Sequence, residues 1–545
     1  MQNLIPRIQR RARREWLDWQ NWRNIAHLSR QLTAHAAPRP AERPVVFFNA
    51  TTRLVGLSQN AAFSLLAAAA VQFAGTPVVH FACQAGLSRC VLASAQAFEL
   101  GQPLTAPPCK ACMATSRHVF STAPVVAFTY RADPHLAAAL RSLDVAQLSL
   151  FEYPLPGTQT VLPLGALVLP SLRWTLRRHH LLDDDVTRFL FREYLLGAYH
   201  LAVEFDALLK RLEPQALVVF NGVMYPEATA RWLAQRRAIR VIAHEVGHLP
   251  FSAFFTEQDA TAYPLDIPPD FELTAEEEAR LDEYLENRFQ GKFSMAGIRF
   301  WPEIKGLDDA FLQRAAPFKQ IVAVFTNVIF DTSQIHANVI FEHMFAWLDA
   351  VQAIARRHPE TLFVIRAHPD EQRMGKASRE SVAEWAASRR MTELPNVFFV
   401  PPNEFISSYQ LIERSKFVMV YNSTIGLEAA LMGAAVLSGG KARYTQTATV
   451  FLPPTPQAYS QQAEEWLAAE RVAVPTEFRR NARRYLYYSH YIAELPFGDF
   501  MEAHMQPGFV VLKRLPWRRL TPEASPTLQV VTEGILQGKP FVMPR

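Results

Sequence analysis

The sequence predicts an α/β protein with two domains, each built on a largely parallel β-sheet. Apolar β-branched runs alternate with helical patterns from residue 44 to 82 and again from 216 to 247. A second series of the same kind runs from 319 to 440, beyond a weakly patterned connector at 248–315. A length of 545 residues is also too great for one ordinary core.

Composition and charge narrow the class of protein. Hydrophobic residues make up 49% of the chain and charged residues 20%, which is typical of a soluble globular protein. The longest weakly polar run, 61–75, is too short to span a bilayer. The basic N-terminus lacks the apolar core of a secretory signal, so we expect a cytoplasmic protein. A net charge of only +5 does not call for a nucleic-acid partner.

Residues 1–43 form a basic arm that the sequence predicts to be helical. The arm contains nine arginines, and Trp16, Trp19 and Trp22 recur every third residue, on roughly one helical face. Such a helix can lie on an anionic membrane surface, which would bring residues 1–30 to the inner face of the membrane. The alternative is a helix docked by its tryptophans onto its own protein, with solvated arginines.

All four cysteines fall within the first domain, which we expect to span 44–315. They are Cys83, Cys90, Cys109 and Cys112, and the last two form a CxxC pair. Four thiolates suit tetrahedral zinc, and a two-residue gap lets one turn supply two ligands. The insertion 83–112 is therefore a candidate structural zinc site, with an iron–sulfur cluster or four unliganded thiols as the alternatives.

Polar residues follow two strands of the first domain. The strand ALVVFNG ends in Asn221 and Gly222, and the strand IRVIAHEVG carries His244 and Glu245 near its end. Ligands bind at the carboxyl ends of parallel strands, and a His-Glu pair there can act in acid–base chemistry. A structural, hydrogen-bonded pair is the alternative. The letters HEVGH follow a strand and contain a glycine, so they do not predict the helical HExxH site of zinc proteases.

The second domain, predicted for 316–480, carries polar residues at the ends of three strands. One strand ends at Thr326 and Asn327, the next at Arg366, His368 and Pro369, and a third at Asn422, Ser423 and Thr424, with Glu428 one helical turn beyond. Hydroxyls, amide groups and the dipole at a helix start favour an anion. A histidine aimed by a proline can donate to a phosphate oxygen, and the carboxylate suits a ribose diol. Each residue alone is equally compatible with a helix cap or a structural histidine, but together they predict a nucleotide-sugar site.

The same region resembles the capsule polysaccharide biosynthesis proteins and related surface-carbohydrate glycosyltransferases. The resemblance rests on FTNVIFDTS (325–333), FVIRAHPDEQR (363–373) and NVFFVPPNEFISSYQLIERSKFVMVYNSTIGLEAALMGAAVL (396–437), and it is weaker at 220–222 and 244–247. It implies a GT-B-like architecture, in which two Rossmann-like domains face each other across a cleft. It also implies that His368, Pro369, Ser423 and Thr424 hold the donor phosphate and that Glu428 contacts the donor nucleotide. The family's double-serine element is Asn-Ser-Thr here, which leaves the donor nucleotide open.

We therefore expect a glycosyltransferase that moves a sugar from a nucleotide-activated donor to a capsule- or lipopolysaccharide-type glycan or a lipid-linked acceptor. Arg366, His368 and the helix start would stabilise the departing phosphate, so no catalytic metal is expected. The candidates for the base are Glu245 and His244, with Asp331 next. Residues 481–545 are expected to be helices that pack back on the first domain.

Two other classes of protein fit the same pattern. One is a nucleotide-sugar epimerase of the same fold, which would form epimerised sugar without an acceptor. The other is a non-catalytic polysaccharide-assembly protein that binds partners through its basic arm and cysteine module. Stabilisation by a specific nucleotide sugar would favour an enzyme over the assembly protein.

Overall fold

The computed structural model describes residues 4–37, 39, 42–50, 56–99, 104, 107–290, 306–373, 377–404 and 406–545. Side chains are described from residue 8 onward, except at 96, 98 and 99. The strands are β1 Val45–Asn49, β2 Val78–Cys83, β3 Val125–Phe128, β4 Tyr153–Pro154, β5 Val161–Leu162, β6 Ala216–Phe220, β7 Arg240–Val246, β8 Ser252–Thr256, β9 Gln320–Phe325, β10 Thr361–Arg366, β11 Val397–Val400, β12 Phe417–Val420, β13 Val436–Ser438, β14 Glu494–Pro496, β15 Met501–Ala503 and β16 Val510–Leu512.

Helices cover the faces of the sheets and the connections between strands. The α-helices are Leu4–His35, Gln59–Phe73, Val91–Glu99, Cys109–Val119, Pro134–Leu140, Val145–Ser149, Leu164–Leu176, Asp185–Leu212, Tyr225–Arg236, Ala275–Phe289, Asp309–Ala315, Gln334–Ala337, Met344–Arg357, Val382–Ser388, Ser408–Arg414, Ile425–Leu431, Pro456–Ala468, Thr476–Tyr487 and Pro526–Gln537. Residues 488–493 continue the penultimate of these as a π-helix. None of the described helices combines the length and the hydropathy needed to span a bilayer.

The first sheet has the strand order β14-β8-β7-β6-β1-β2-β3. Its five strands from β7 to β3 are parallel, and β8 and β14 extend it with antiparallel pairs. The central strand β1 is buried along its whole length, as expected of a parallel strand covered by helices on both faces. The carboxyl ends of β6 and β7 therefore lie side by side, with Phe220 opposite His244.

The second sheet has the order β11-β10-β9-β12-β13, and all of its pairs are parallel. Strand β9 lies at the centre and pairs with β10 on one side and β12 on the other. The carboxyl ends of these three strands are neighbours because their registers align Phe325 with both Arg366 and Val420. The predicted α/β fold class with two parallel sheets is confirmed.

Two predicted elements differ from the structure. The sequence also predicts a helix from about 337 to 357, but in the structure a short helix ends at Ala337 and the next begins at Met344. The aromatic amphipathic pattern at 481–495 predicts one helix, which ends earlier, and the chain then forms strand β14 at Glu494. The pattern of aromatic residues continues through the π-helix, so periodicity alone did not mark the end of the helix.

The C-terminal segment returns to the first sheet. Strand β14 pairs with β8, so that Glu494 lies opposite Phe254. The hairpin β15–β16 and the last helix pack in the same hydrophobic core as β1 and the helix Gln59–Phe73. This return brings residues from the end of the chain to the carboxyl edge of the first sheet.

The N-terminal helix docks on the hairpin mainly through other residues, and of its three tryptophans Trp22 packs against the core while Trp16 and Trp19 do not. Its buried face carries Asn21 and Asn24, whose amides donate to the carbonyl oxygens of Val510 (2.8 Å) and Leu512 (2.7 Å). Trp16 and Trp19 are 55% and 51% exposed. The interpretation of a helix docked by its tryptophans is therefore wrong for these two side chains, because the helix turns a different face to the protein.

The triple aspartate before the helix Asp185–Leu212 has a structural role in this fold. The Asp184 carboxylate caps the helix by accepting from the backbone N–H of Thr187 at 2.8 Å. Asp183 forms an ion pair with Arg188. Both contacts agree with the expectation that these residues supply capping charge.

Candidate functional site

A cleft of about 660 Å³ opens between the carboxyl edges of the two sheets. It brings together most of the residues that the sequence analysis selected, from segments up to about 180 residues apart. Those on the cleft wall are Glu245, Thr326, Asn327, Asp331, Arg366, His368, Pro369, Asn422, Ser423, Thr424 and Glu428. His244, Asn221 and Gly222 are not on this wall, and the four cysteines lie elsewhere in the first domain.

Asn422 is the hub of a hydrogen-bond network at the end of β12. Its Oδ1 accepts from the side-chain amides of Asn327 (2.7 Å) and Gln334 (3.1 Å). Asp331 joins the network through Ser333, whose hydroxyl donates to Asp331 Oδ2 at 2.5 Å and lies 3.4 Å from Asn422 Nδ2. These bonds connect the ends of β9 and β12, so the floor of the cleft is held in one arrangement before any ligand binds.

His368 is oriented by the turn that Pro369 begins. Its Nδ1 accepts from the backbone N–H of Asp370 at 3.1 Å, so a neutral ring carries its hydrogen on Nε2. Glu371 holds the end of this turn in place, because its carboxyl accepts from the backbone N–H of Val382 at 3.1 Å. Burial raises the pKa of Glu371 to about 8, so this anchor is largely uncharged at neutral pH.

Arg366 brings a buried positive charge to the same wall. Its guanidinium hydrogen-bonds the Ser408 hydroxyl, and its carbonyl oxygen accepts from the Thr326 hydroxyl at 3.1 Å. Burial lowers the pKa of Arg366 to about 10, which still leaves it charged at neutral pH. A buried guanidinium facing a cleft is suited to an anionic ligand.

Ser423 and Thr424 lead into the helix Ile425–Leu431, as expected. The Tyr444 hydroxyl donates to the carbonyl oxygen of Ser423 at 2.8 Å and packs beneath the helix start. A Cβ at Gly426 would lie 2.2 Å from that hydroxyl, so only glycine permits this close approach. Tyr444, which follows strand β13, therefore helps to fix the position of the Ser423 backbone.

Glu428 already has a partner on each carboxylate oxygen. Arg288 donates to Oε1 and the Tyr409 hydroxyl to Oε2, both at 2.6 Å. Burial opposes the charge of Arg288, but Glu428 and the nearby phenols offset it and raise the pKa of the guanidinium. A ribose diol at Glu428 would have to use the remaining lone pairs of this carboxylate.

On the first-sheet wall, the structure separates Glu245 from its neighbour His244. Successive residues of a strand point to opposite faces, so Glu245 lines the cleft while His244 is buried against Phe255, with ring centroids 5.3 Å apart. Asn221 donates to Glu245 Oε2 at 2.6 Å from a left-handed backbone conformation (φ 59°). Asn221 and Gly222 therefore shape the turn behind Glu245 rather than the cleft surface.

Several residues of the site were not selected from the sequence, and three of them form one connected group. His248 and Arg443 line the cleft, and the Arg443 guanidinium lies 3.3 Å from His248 Nε2. Glu494 lies behind His248, and its carboxylate contacts His248 Nδ1 at 2.5 Å. His248 is the final histidine of HEVGH, so its place just after a strand could have been noticed in the sequence. No local pattern connects it to Glu494, which follows 246 residues later.

The four cysteines are all of intermediate exposure. Burial raises the pKa of Cys83 to about 12 and that of Cys90 to about 11, and the other thiols add to both shifts. Within the described part of the chain, only His248, His490 and Glu494 place three metal-ligand atoms within 4.8 Å of one another. The cysteines are thus near neighbours that do not form a closed ligand set in this structure.

The region that contains the second sheet matches a known protein family. Residues 304–449 match the family model of the capsule polysaccharide biosynthesis proteins. This match confirms the resemblance seen in the sequence, and it covers β9 to β13 with the second-sheet wall of the cleft. A search of curated proteins finds no match.

Solved structures align with the chain at low similarity. One is a beta Kdo 2,4 transferase, KpsC, from Thermosulfurimonas dismutans, which is 13% identical over 56% of this chain and 87% of that chain, with a TM-score of 0.34. Another is a UDP-GlcNAc 2-epimerase from Neisseria meningitidis bound to UDP-GlcNAc, 10% identical over 82% of this chain and 99% of that chain, with a TM-score of 0.23.

Proposed function

We propose that the chain is a glycosyltransferase that moves a sugar from a nucleotide-activated donor to a growing capsule- or lipopolysaccharide-type glycan. The observation that carries the proposal is the convergence of Arg366, His368 and Ser423 on one cleft wall, at the ends of the two parallel strands that flank β9. The strands belong to the region that matches the capsule polysaccharide biosynthesis family. Donor binding at such strand ends is also the general rule for open α/β sheets.

The proposed chemistry uses positive side chains to stabilise the departing nucleotide phosphate. Arg366 and His368 face the cleft from the end of β10, and Lys441 and Arg443 face it from beyond β13. Preorganised donors aimed at developing negative charge lower the barrier to bond breaking. Because these groups can carry the charge of the leaving phosphate, the proposed transfer does not require a bound catalytic metal.

We also propose the division of the chain into functional parts. Residues 44–315 form the acceptor domain, which contributes Glu245 to the cleft, and residues 316–480 form the donor domain, which contributes Asp331 and Glu428. Residues 481–545 return to the first domain, and residues 1–43 form the basic arm. Glu428 is proposed to contact the ribose of the donor while it remains paired with Arg288.

Donor binding tests the proposed function directly. We expect one nucleotide sugar of a panel to raise the melting temperature of the chain, and His368→Ala to weaken its binding about 10- to 100-fold, since a charge-assisted hydrogen bond contributes about 1.5–3 kcal/mol. His135→Ala, at an exposed position outside the cleft, is the matched control and should bind as the native chain does. Absence of stabilisation by any nucleotide sugar at millimolar concentration would contradict a donor site.

We propose that the basic arm contacts an anionic membrane surface at the cytoplasmic face, near a lipid-linked acceptor. The exposed tryptophans Trp16 and Trp19 lie on the same helix as the exposed arginines Arg10, Arg13 and Arg14. Basic side chains near an anionic surface contribute about 1 kcal/mol each, and tryptophan partitions to the interface.

Vesicle co-sedimentation tests the membrane contact. The native chain should bind phosphatidylglycerol vesicles and not phosphatidylcholine vesicles, and the double variant Trp16→Ala/Trp19→Ala should bind about tenfold more weakly, because its apolar contacts are lost. Both side chains are exposed, so the variant should keep the native melting temperature. Equal binding to both vesicle types, or none to either, would refute the proposal.

We propose that Cys83, Cys90, Cys109 and Cys112 hold a structural zinc ion, with an iron–sulfur cluster as the alternative. Burial disfavours the thiolate form of Cys83 and Cys90, and a cation is the group that would stabilise four thiolates together. The helix Cys109–Val119 carries two of the thiols on its first turn, where both can face one ion.

Metal analysis of the purified chain separates these cases. One zinc per chain in the native protein, and none in Cys109→Ser/Cys112→Ser, is the expected result. Iron with visible absorbance would select the cluster instead. A native chain that contains neither metal after purification without chelators would rule out both.

A further inference from the structure

His248 and Glu494 form a buried pair at the edge of the cleft that the proposed donor site does not use. We propose that His248 is the base that accepts the proton of the acceptor hydroxyl, and that Glu494 is the positioning residue that orients it. This inference rests on the proposed transferase function and adds the acceptor-side chemistry to it.

Glu494 is held as a carboxylate in a buried position. It is 2% exposed, and its Oε2 accepts from the backbone N–H groups of His248 (2.8 Å) and Leu249 (3.0 Å) and from the Ser252 hydroxyl (2.7 Å). Burial acts to raise the pKa of Glu494, but His248, His490 and the backbone N–H groups outweigh it and lower the pKa to about 2. The other oxygen, Oε1, faces His248 Nδ1 at 2.5 Å.

The partners of the His248 ring assign its tautomer. An arginine can only donate, so the contact from Arg443 at 3.3 Å makes Nε2 of His248 the acceptor. Nδ1 then carries the hydrogen and donates to Glu494. The ring therefore presents its basic nitrogen to the cleft, and the long Arg443 contact is the one that an acceptor hydroxyl would replace.

The surrounding side chains restrict the ring to this orientation. His490 stacks on it, with centroids 5.0 Å apart and planes 15° from parallel, and Tyr263 contacts it edge-on at 5.2 Å. Burial lowers the pKa of His490 to about 3, so the stacked neighbour stays uncharged at neutral pH. A Cβ at Gly247 would lie 2.5 Å from Glu494 Oε2, so glycine is needed for the carboxylate to reach the turn.

Glu245, the base expected from the sequence, is less suited to this role. Its Oε2 accepts from Asn221 at 2.6 Å and its Oε1 from the backbone N–H of Val246 at 2.9 Å, so both oxygens already have partners within the protein. Imidazole is also better matched than a carboxylate to proton transfer near neutral pH. His248 combines this chemistry with a position on the cleft wall.

A metal ion on His248, His490 and Glu494 is the competing interpretation, because their ligand atoms lie within 4.8 Å of one another. A metal bound to Nδ1 of His248 would leave a hydrogen on Nε2, and that hydrogen would face the Arg443 donor. It would also replace the Nδ1 contact with Glu494. The observed contacts therefore favour the proton-accepting pair.

In the proposed step, the acceptor hydroxyl oxygen forms a bond to the anomeric carbon of the donor sugar. The bond from that carbon to the phosphate oxygen breaks, and its electron pair leaves with the nucleotide. The hydroxyl proton moves to Nε2 of His248, and the positive charge of the ring is balanced by Glu494. The proton is later released to water, which restores the ring.

The test compares two variants with a matched control, by transfer turnover and donor affinity. His248→Ala should lower kcat about 10²- to 10⁴-fold with little change in donor Kd, and added imidazole should restore part of the turnover. Glu494→Gln keeps an oxygen for the backbone donors, but its amide donates to Nδ1 and moves the ring hydrogen to Nε2. It should lower kcat without imidazole rescue, and ¹⁵N NMR of the ring should show the changed tautomer.

His358→Ala is the control, because His358 pairs with Glu464 at 2.5 Å on a helix end outside the cleft and should turn over as the native chain does. Turnover at the native rate in His248→Ala would overturn the proposal. It would also be overturned if the native chain contained a bound metal and His248→Ala lost both that metal and its activity. A native chain that binds a donor but transfers no sugar would overturn the transferase function itself, and the base with it.

Discussion

Parallel strands bring their carboxyl ends to one edge of a sheet, and in this protein two such edges face each other. The polar residues that end β7 therefore oppose those that end β9, β10 and β12 across a single cleft. Helices cover both faces of each sheet, so the strands themselves can be almost entirely apolar. Charge and hydrogen-bonding groups are consequently concentrated at the one place where a ligand can reach the backbone of both sheets.

Two buried carboxylates at this place have partners, as their desolvation requires. Glu428 pairs with Arg288 on the second-sheet wall, and Glu494 contacts His248 and accepts from backbone N–H groups and the Ser252 hydroxyl on the first-sheet wall. Both sets of contacts join segments that are far apart in the chain. Through these contacts the helix Ala275–Phe289 and strand β14 are joined to the cleft. Parts of the chain outside the two domain cores therefore contribute to the geometry of the site.

The sequence allowed the residues of the second-sheet wall to be grouped because the information that places them is local. Each of Arg366, His368 and Ser423 follows an apolar run that can be recognised as a strand, and the parallel arrangement then makes the strand ends neighbours. His244 could have been separated from Glu245 by the same reasoning, since neighbouring residues of a strand point to opposite faces. The pairing of His248 with Glu494 on the first-sheet wall could not be predicted, because no local sequence pattern encodes such a long-range contact. Glu494 lies in a stretch that was expected to be helical, and its partner His248 comes from the opposite half of the chain.

We propose that the donor phosphate binds between Arg366, His368 and Ser423 while the reacting sugar faces His248. A crystal structure of the chain with its stabilising nucleotide sugar tests this arrangement. We expect phosphate oxygens within hydrogen-bond distance of Arg366 and His368, and the anomeric carbon on the side of the cleft that carries His248. A nucleotide bound with its phosphates on the first-sheet wall, or outside the cleft, would contradict it.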